Sequence, residues 1–72
     1  MKSKALLHQA HLLSLSKEDS DLKYGESLLI QWMNIFRDSA QRKKAYETLA
    51  TIYKELNQGE KAAKFKSLST SL

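Results

Sequence analysis

The sequence predicts an all-α fold, a compact bundle of three to four antiparallel helices in a single domain over residues 1–72. Three observations carry this expectation. Proline is absent and glycine occurs only at Gly25 and Gly59, so the residues that interrupt helices are nearly missing. Leucine, alanine, lysine, glutamate and glutamine, all good helix formers, are abundant. Apolar residues recur at three- and four-residue spacing in successive segments, and a hydrophobic content of 42% is enough for a core.

The first helix is expected over about residues 3–15, with Ser3 as its N-cap. Leu6, Ala10 and Leu13 form its stripe, flanked by Leu7 and Leu12. A polar stretch from Ser14 to Asp21 follows, in which Ser16 or Ser20 can cap the next helix. That second helix is the most apolar element, over about 26–37. Leu28, Leu29, Ile30, Trp32, Met33, Ile35 and Phe36 leave only a narrow polar stripe of Ser27, Gln31, Asn34 and Asp38. Helices of this kind are normally buried among several neighbours, so it is expected to be the centre of the fold. Its start is open: Leu22, Leu29 and Phe36 share a face, which allows a helix beginning near residue 17 and running through Gly25. A mid-helix glycine costs about 1 kcal/mol relative to alanine.

Asp38 or Ser39 is expected to separate the second helix from a third, and Asp38 with Gln41 has capping-box spacing. The third helix, about 40–57, is clearly amphipathic. Tyr46, Leu49, Ala50, Tyr53 and Leu56 lie on one face, widened by Ile52, while Arg42, Lys43, Lys44, Glu47, Lys54 and Glu55 lie on the other. Asn57-Gln58-Gly59-Glu60 then stops one helix and starts another. Gly59 is expected to take the left-handed conformation that ends helix three, and Asn57 with Glu60 has cap spacing. The fourth helix, about 60–69, should bury Ala62, Ala63, Phe65 and Leu68, with the Ser-Thr-Ser-Leu tail fraying.

A domain of 72 residues buries only about 60% of the surface its unfolded chain exposes. There are no cysteines, so disulfides and thiolate metal sites are excluded and the composition suits a reducing compartment. Stability must come from dense helix packing, self-association or a partner. The opening Met1-Lys2-Ser3-Lys4-Ala5-Leu6-Leu7 resembles the start of a signal peptide. However, His8, Gln9 and His11 interrupt the apolar run, so secretion is not expected. No stretch approaches the roughly 20 apolar residues that span a bilayer. A soluble, cytoplasmic protein without a membrane role is the expectation.

Charge is unevenly placed. Residues 1–36 carry four lysines and four acidic residues; residues 37–72 carry eight lysines or arginines and four acidic residues, which supplies the whole net +4. A partner that responds to charge is therefore expected at the second half.

Gly25-Glu26 and Gly59-Glu60 are 34 residues apart, and the same offset pairs Leu15 with Leu49, Leu22 with Leu56 and Leu28 with Ala62. Tyr46, Leu49, Ala50, Tyr53 and Ala62 stand at the relative spacing of large, apolar, small, aromatic and small positions. In this the segment 46–62 resembles the tetratricopeptide repeat, whose period is about 34 residues. Lys66 departs from the family pattern, no closing proline exists, and the first unit is poorer because Asp19 stands where an aromatic belongs. A weaker second resemblance is to the death-fold domains: Glu26 to Trp32 and Thr48 to Ala63 look like their last three helices, although the chain is too short for six. Both resemblances imply a protein-interaction module.

Catalytic and cofactor chemistry finds little support. His8 and His11 stand three apart, but a metal site needs a third or fourth ligand with supporting hydrogen bonds, and none is placed nearby. Glu18, Asp19 and Asp21 sit at a helix start, where acidic residues are favoured by the helix dipole. No nucleophile motif surrounds the serines, and no glycine-rich phosphate loop is present. An enzyme is not expected, nor is a cofactor.

The most suggestive cluster is Arg42, Lys43 and Lys44 with Lys54, Lys61, Lys64 and Lys66. Its bland reading is a solvated face with internal pairs, Glu60–Lys64 at i,i+4 and Glu47 within reach of Lys43 and Lys44. Its functional reading is a contact surface formed by Arg42, Lys43, Lys44, Lys61 and Lys64, with Tyr46 and Tyr53 as exposed aromatic anchors. The expected role is an adaptor, inhibitor or regulatory subunit that binds a larger protein with an acidic surface. Alternatives are a basic nucleic-acid-binding regulator and a self-assembling structural protein, a homo-oligomer. Against nucleic acid, the short fourth helix lacks the Asn, Gln or Arg that read base edges.

Overall fold

The computed structural model describes residues 2–36 and 39–71. They form four helices: α1 (Lys2–Ser14), α2 (Asp19–Ile35), α3 (Ser39–Glu55) and α4 (Gly59–Ser71). The Asp38 cap and the Asp38–Gln41 box lie outside the described residues, as do the side chains of Ser3 and Ser39. The turns at Leu15–Glu18 and Leu56–Gln58 are short enough to fold each helix back on its predecessor. The result is two hairpins, α1–α2 and α3–α4, joined by packing of α3 on both α1 and α2. The radius of gyration, 11.1 Å, is that of a packed domain of this length, about 11 Å.

The hub is α3, not α2. It touches all three other helices, whereas α2 meets only α1 and α3, and α4 meets α3 alone. With two neighbours, α2 cannot cover its whole apolar circumference, so Tyr24, Ile30 and Ile35 stand exposed. Its inward face, Leu22, Leu28, Leu29 and Trp32, meets Leu7 and Ala10 of α1 and Ala45, Leu49 and Ile52 of α3 in one buried cluster.

Of the two starts open in the sequence, α2 takes the early one. Glu18 is its N-cap, with extended backbone and no side-chain cap bond. The hydroxyl of Ser16 joins the turn to the helix: it accepts from the Glu18 N–H at 3.1 Å and donates to Asp21 Oδ2 at 2.8 Å. Ser16 therefore acts two residues ahead of the cap, while Ser20 lies inside the first turn. Asp19 and Asp21 in that turn suit the positive end of the helix dipole. Gly25 is kept inside the helix because α1 and α3 both approach it closely. A Cβ there would lie 3.1 Å from Ile52 Cδ1, 3.2 Å from Leu13 Cβ and 3.6 Å from the Ala10 carbonyl oxygen.

Helix α3 ends at Asn57, not through Gly59. Asn57 takes the left-handed conformation (φ 62°), one of the few residues to do so at modest cost. The Gln58 N–H then bonds Tyr53 O at 2.8 Å and the Asn57 N–H bonds Lys54 O at 3.1 Å, which satisfies two terminal carbonyls. Gly59 has no positive φ and simply opens α4, with nothing within 4 Å of where its Cβ would be.

The two glycines should thus answer alanine substitution with opposite signs. Gly59→Ala should stabilise by about 0.5–1 kcal/mol, through lower chain entropy and better helix propensity. Gly25→Ala gains the same propensity but forces apart a tight crossing, an overpacking cost of about 1–3 kcal/mol, and should destabilise. Urea midpoints of the two variants measure this; a stabilised Gly25→Ala would show that α1 and α3 can yield there.

Three buried hydroxyls are satisfied within their own helices, so their burial costs little. Ser14 bonds the His11 carbonyl, Thr48 the Lys44 carbonyl at 2.9 Å and Ser69 the Lys66 carbonyl at 2.7 Å. At the C-terminus Thr70 and Ser71 also bond Ser67 O, at 2.9 and 2.8 Å. These back-bonds carry α4 to Ser71, through the serine-rich segment expected to fray. Ser69 packs inward there, while Ala63 is exposed and Ala62 and Phe65 are half-buried.

The 34-residue offset does not join equivalent places. Gly25 is inside α2 whereas Gly59 opens α4, and Leu15 is exposed in a turn whereas Leu49 is fully buried in mid-helix. Measured from helix starts, Lys2 to Ser39 and Asp19 to Gly59, the hairpins recur after 37 and 40 residues.

Candidate interaction surface

The basic and aromatic residues of α3 and α4 divide into those that build the fold and those that remain outside it. Arg42 belongs to the fold. Half-buried, it donates from Nε to the Tyr46 hydroxyl at 2.9 Å and reaches from a terminal nitrogen toward the Phe36 carbonyl at 3.4 Å. Its guanidinium also lies 5.7 Å from the Tyr46 ring centroid. Phe36 is the C-cap of α2, so Arg42 places a cation at the negative end of that helix and ties it to α3.

Tyr53 also belongs to the fold, contrary to the exposed position expected for it. It is 4% exposed, stacks on Phe65 of α4 at 5.5 Å between ring centroids and has Lys61 Nζ 5.4 Å from its own centroid. Glu26 of α2 stands close to its hydroxyl. Burial first, then the nearby, charged Glu26, holds its pKa well above the ordinary tyrosine value. Tyr46 is half-buried and its ring centroid lies 5.8 Å from that of Phe65. Since α4 contacts α3 alone, this aromatic trio is its main anchorage. The sequence shows two tyrosines on one face. It does not show that Phe65 and Glu26 cover them.

The remaining cations are solvent-facing. Lys43, Lys44, Lys61 and Lys64 are exposed. The pairs that spacing allows, Glu60 with Lys64 and Glu47 with Lys43 or Lys44, do not form among the described residues. These lysines do not make one continuous face. Lys61 lies over the Tyr53 ring, Lys64 is one turn further along α4, and Lys44 turns into a cleft between α1 and α3. That cleft, about 290 Å³, is lined by Lys4, Leu7, His8, His11, Gln41 and Lys44. A second groove of about 400 Å³ runs between α3 and α4, lined by Ala50, Ala62 and Ala63 together with Glu47, Lys54 and Lys66.

Among the described residues no three His, Asp or Glu side chains converge as metal ligands. No described helix is long and apolar enough to cross a membrane. No protein-family model, curated protein or solved structure matches the chain.

Proposed function

We propose that this protein is a non-enzymatic interaction module of the cytoplasm, an adaptor, inhibitor or regulatory subunit that binds one larger protein through an acidic surface on that partner. The observation that carries this reading is the set of exposed lysines on α3 and α4 that pair with no carboxylate among the described residues, in a chain of net charge +4. Unpaired cations of one sign steer association with an oppositely charged surface and set its specificity. Arg42 and Tyr53 have no part in the contact, because both are engaged inside the fold.

The test is capture from lysate on the immobilised protein, with nuclease treatment and at low and high salt, beside the Lys43→Glu/Lys64→Glu variant, which spares Lys61 because it lies over the Tyr53 ring. The expected result is one protein retained by the wild type through nuclease treatment, bound at least tenfold more weakly by the variant, with the two melting temperatures alike. Equal retention by both would remove this surface. Recovery that disappears with nuclease would move the function to nucleic acid, whose binding falls steeply with salt.

Self-association is a second reading with its own support. Leu12, Leu15 and Ile35 are 54%, 64% and 64% exposed, apolar side chains whose burial against a second copy would be favourable. Sedimentation equilibrium at increasing concentration distinguishes a monomer from a closed dimer.

A further inference from the structure

We infer that the cleft between α1 and α3 is a binding site for a phosphomonoester group. The proposal goes beyond the adaptor reading and does not depend on it. Two lysines and two histidines from separate helices, Lys4, His8 and His11 of α1 and Lys44 of α3, line one cavity of about 290 Å³ with Leu7. Among the described residues no carboxylate lines it. Neither lysine has an ion pair among the described residues. The charge is not offset from further along α1, because residues 1–17 contain no aspartate or glutamate.

The chemistry of the lining selects the ligand. Each ammonium group offers donors to an anion and no acceptor, and each imidazole offers at least one N–H. A phosphomonoester carries about −1.5 to −2 charges near pH 7 and three strong acceptor oxygens, which matches four donor side chains converging from two helices. A carboxylate offers one charge and two oxygens to the same set. A metal cation is disfavoured by the two ammonium groups, and no third ligand accompanies the histidines among the described residues. The cavity stands at the lower edge of the usual ligand-cleft range of about 300–1,000 Å³, which suits one phosphorylated group with a small body lying against Leu7. That group belongs either to a small phosphorylated molecule or to a phosphorylated side chain of a protein, and the probes separate the two.

The experiment is an NMR titration of the full chain, following the His8 and His11 ring signals and the Lys44 side chain. Its four probes are phenyl phosphate, benzoate, a ten-residue peptide carrying one phosphoserine, and the same peptide without phosphate. The expected result is saturable shifts confined to the cleft with the phosphorylated probes, and at least tenfold weaker binding of benzoate and of the plain peptide. Lys4→Gln and Lys44→Gln should each weaken binding about tenfold, the scale of one charge-assisted hydrogen bond, with unchanged melting temperature, whereas Lys64→Gln on α4 should not. Tighter binding of the phosphopeptide than of phenyl phosphate assigns the site to protein side chains; the reverse order assigns it to small molecules. The proposal is overturned if neither phosphorylated probe saturates, if benzoate binds equally well, or if Lys64→Gln weakens binding as much as Lys44→Gln. The adaptor test uses Lys43 and Lys64, so either idea can fail alone.

Discussion

Trp32→Ala should destabilise the fold by about 3–5 kcal/mol and lower its urea midpoint to match. Trp32 is the largest side chain in the core and fully excluded from solvent, in one cluster with Leu28 and Leu29 of its own helix and apolar residues of α1 and α3. Its ring lies 5.7 Å from that of Phe36 at the end of α2, so truncation empties the place where α2 meets both neighbours. A domain of this length has about 4–11 kcal/mol of total stability at the usual value per residue, and the loss is a large part of that. Trp32→Phe should cost far less. The indole Nε1 is buried with no hydrogen-bond partner, a state that costs about 1–3 kcal/mol, and phenylalanine removes it while keeping most of the apolar volume. Because Trp32 is the only tryptophan, unfolding must be followed by far-ultraviolet circular dichroism. A Trp32→Ala variant within about 1 kcal/mol of wild type would show that the core is not centred there.

The features legible in the sequence are those that depend on the phase of a single helix. Leu49, Ile52 and Leu56 declare the inner stripe of α3 because helical periodicity is a local property, and Leu22 with Leu29 does the same for α2. What the sequence left open depends on which neighbour arrives. Tyr46 and Tyr53 stand on one side of that stripe, and only the docking of Phe65 and Glu26 decides that Tyr53 is inside. Arg42 reads as part of a basic run, yet its role is fixed by the Phe36 carbonyl, which becomes its partner only when α2 and α3 have packed. Gly25 reads as a breaker, but it is kept for the approach of Leu13 and Ile52, which lie 12 residues before it and 27 after it. Gly59 reads as the left-handed end of α3, since glycine is the usual choice, and Asn57 as a cap for α4; the φ of Asn57 and the cap bonds of Asn57 and Gln58 show that asparagine took the left-handed place. The same argument holds for the cationic cleft. His8 and His11 are an isolated pair in the chain, and Lys44 is one lysine in a run, until the α1–α3 contact puts them around one cavity.

The second large effect is expected at Tyr53. Tyr53→Ala should destabilise by about 3–5 kcal/mol, as for other buried aromatic truncations, and should loosen α4 in particular, since the ring stacks on Phe65 and lies beneath Lys61. Tyr53→Phe keeps the ring and isolates the hydroxyl. Burial and Glu26 raise the pKa of that hydroxyl in the folded protein, so the folded state holds the proton more tightly than the unfolded chain, whose tyrosine titrates near 10. The corresponding stabilisation is fully present below pH 10. It is lost as pH rises from there toward the folded-state pKa, at about 1.4 kcal/mol per pH unit. Lysines titrate in the same range, so the informative quantity is the difference between wild type and Tyr53→Phe in urea unfolding free energy from pH 7 to 11.5. That difference should be constant up to about pH 10 and shrink above it, because only the wild type has this proton to lose. Parallel curves throughout would mean that the hydroxyl is not shielded in the folded state, and that Glu26 does not hold α2 against α3 through it.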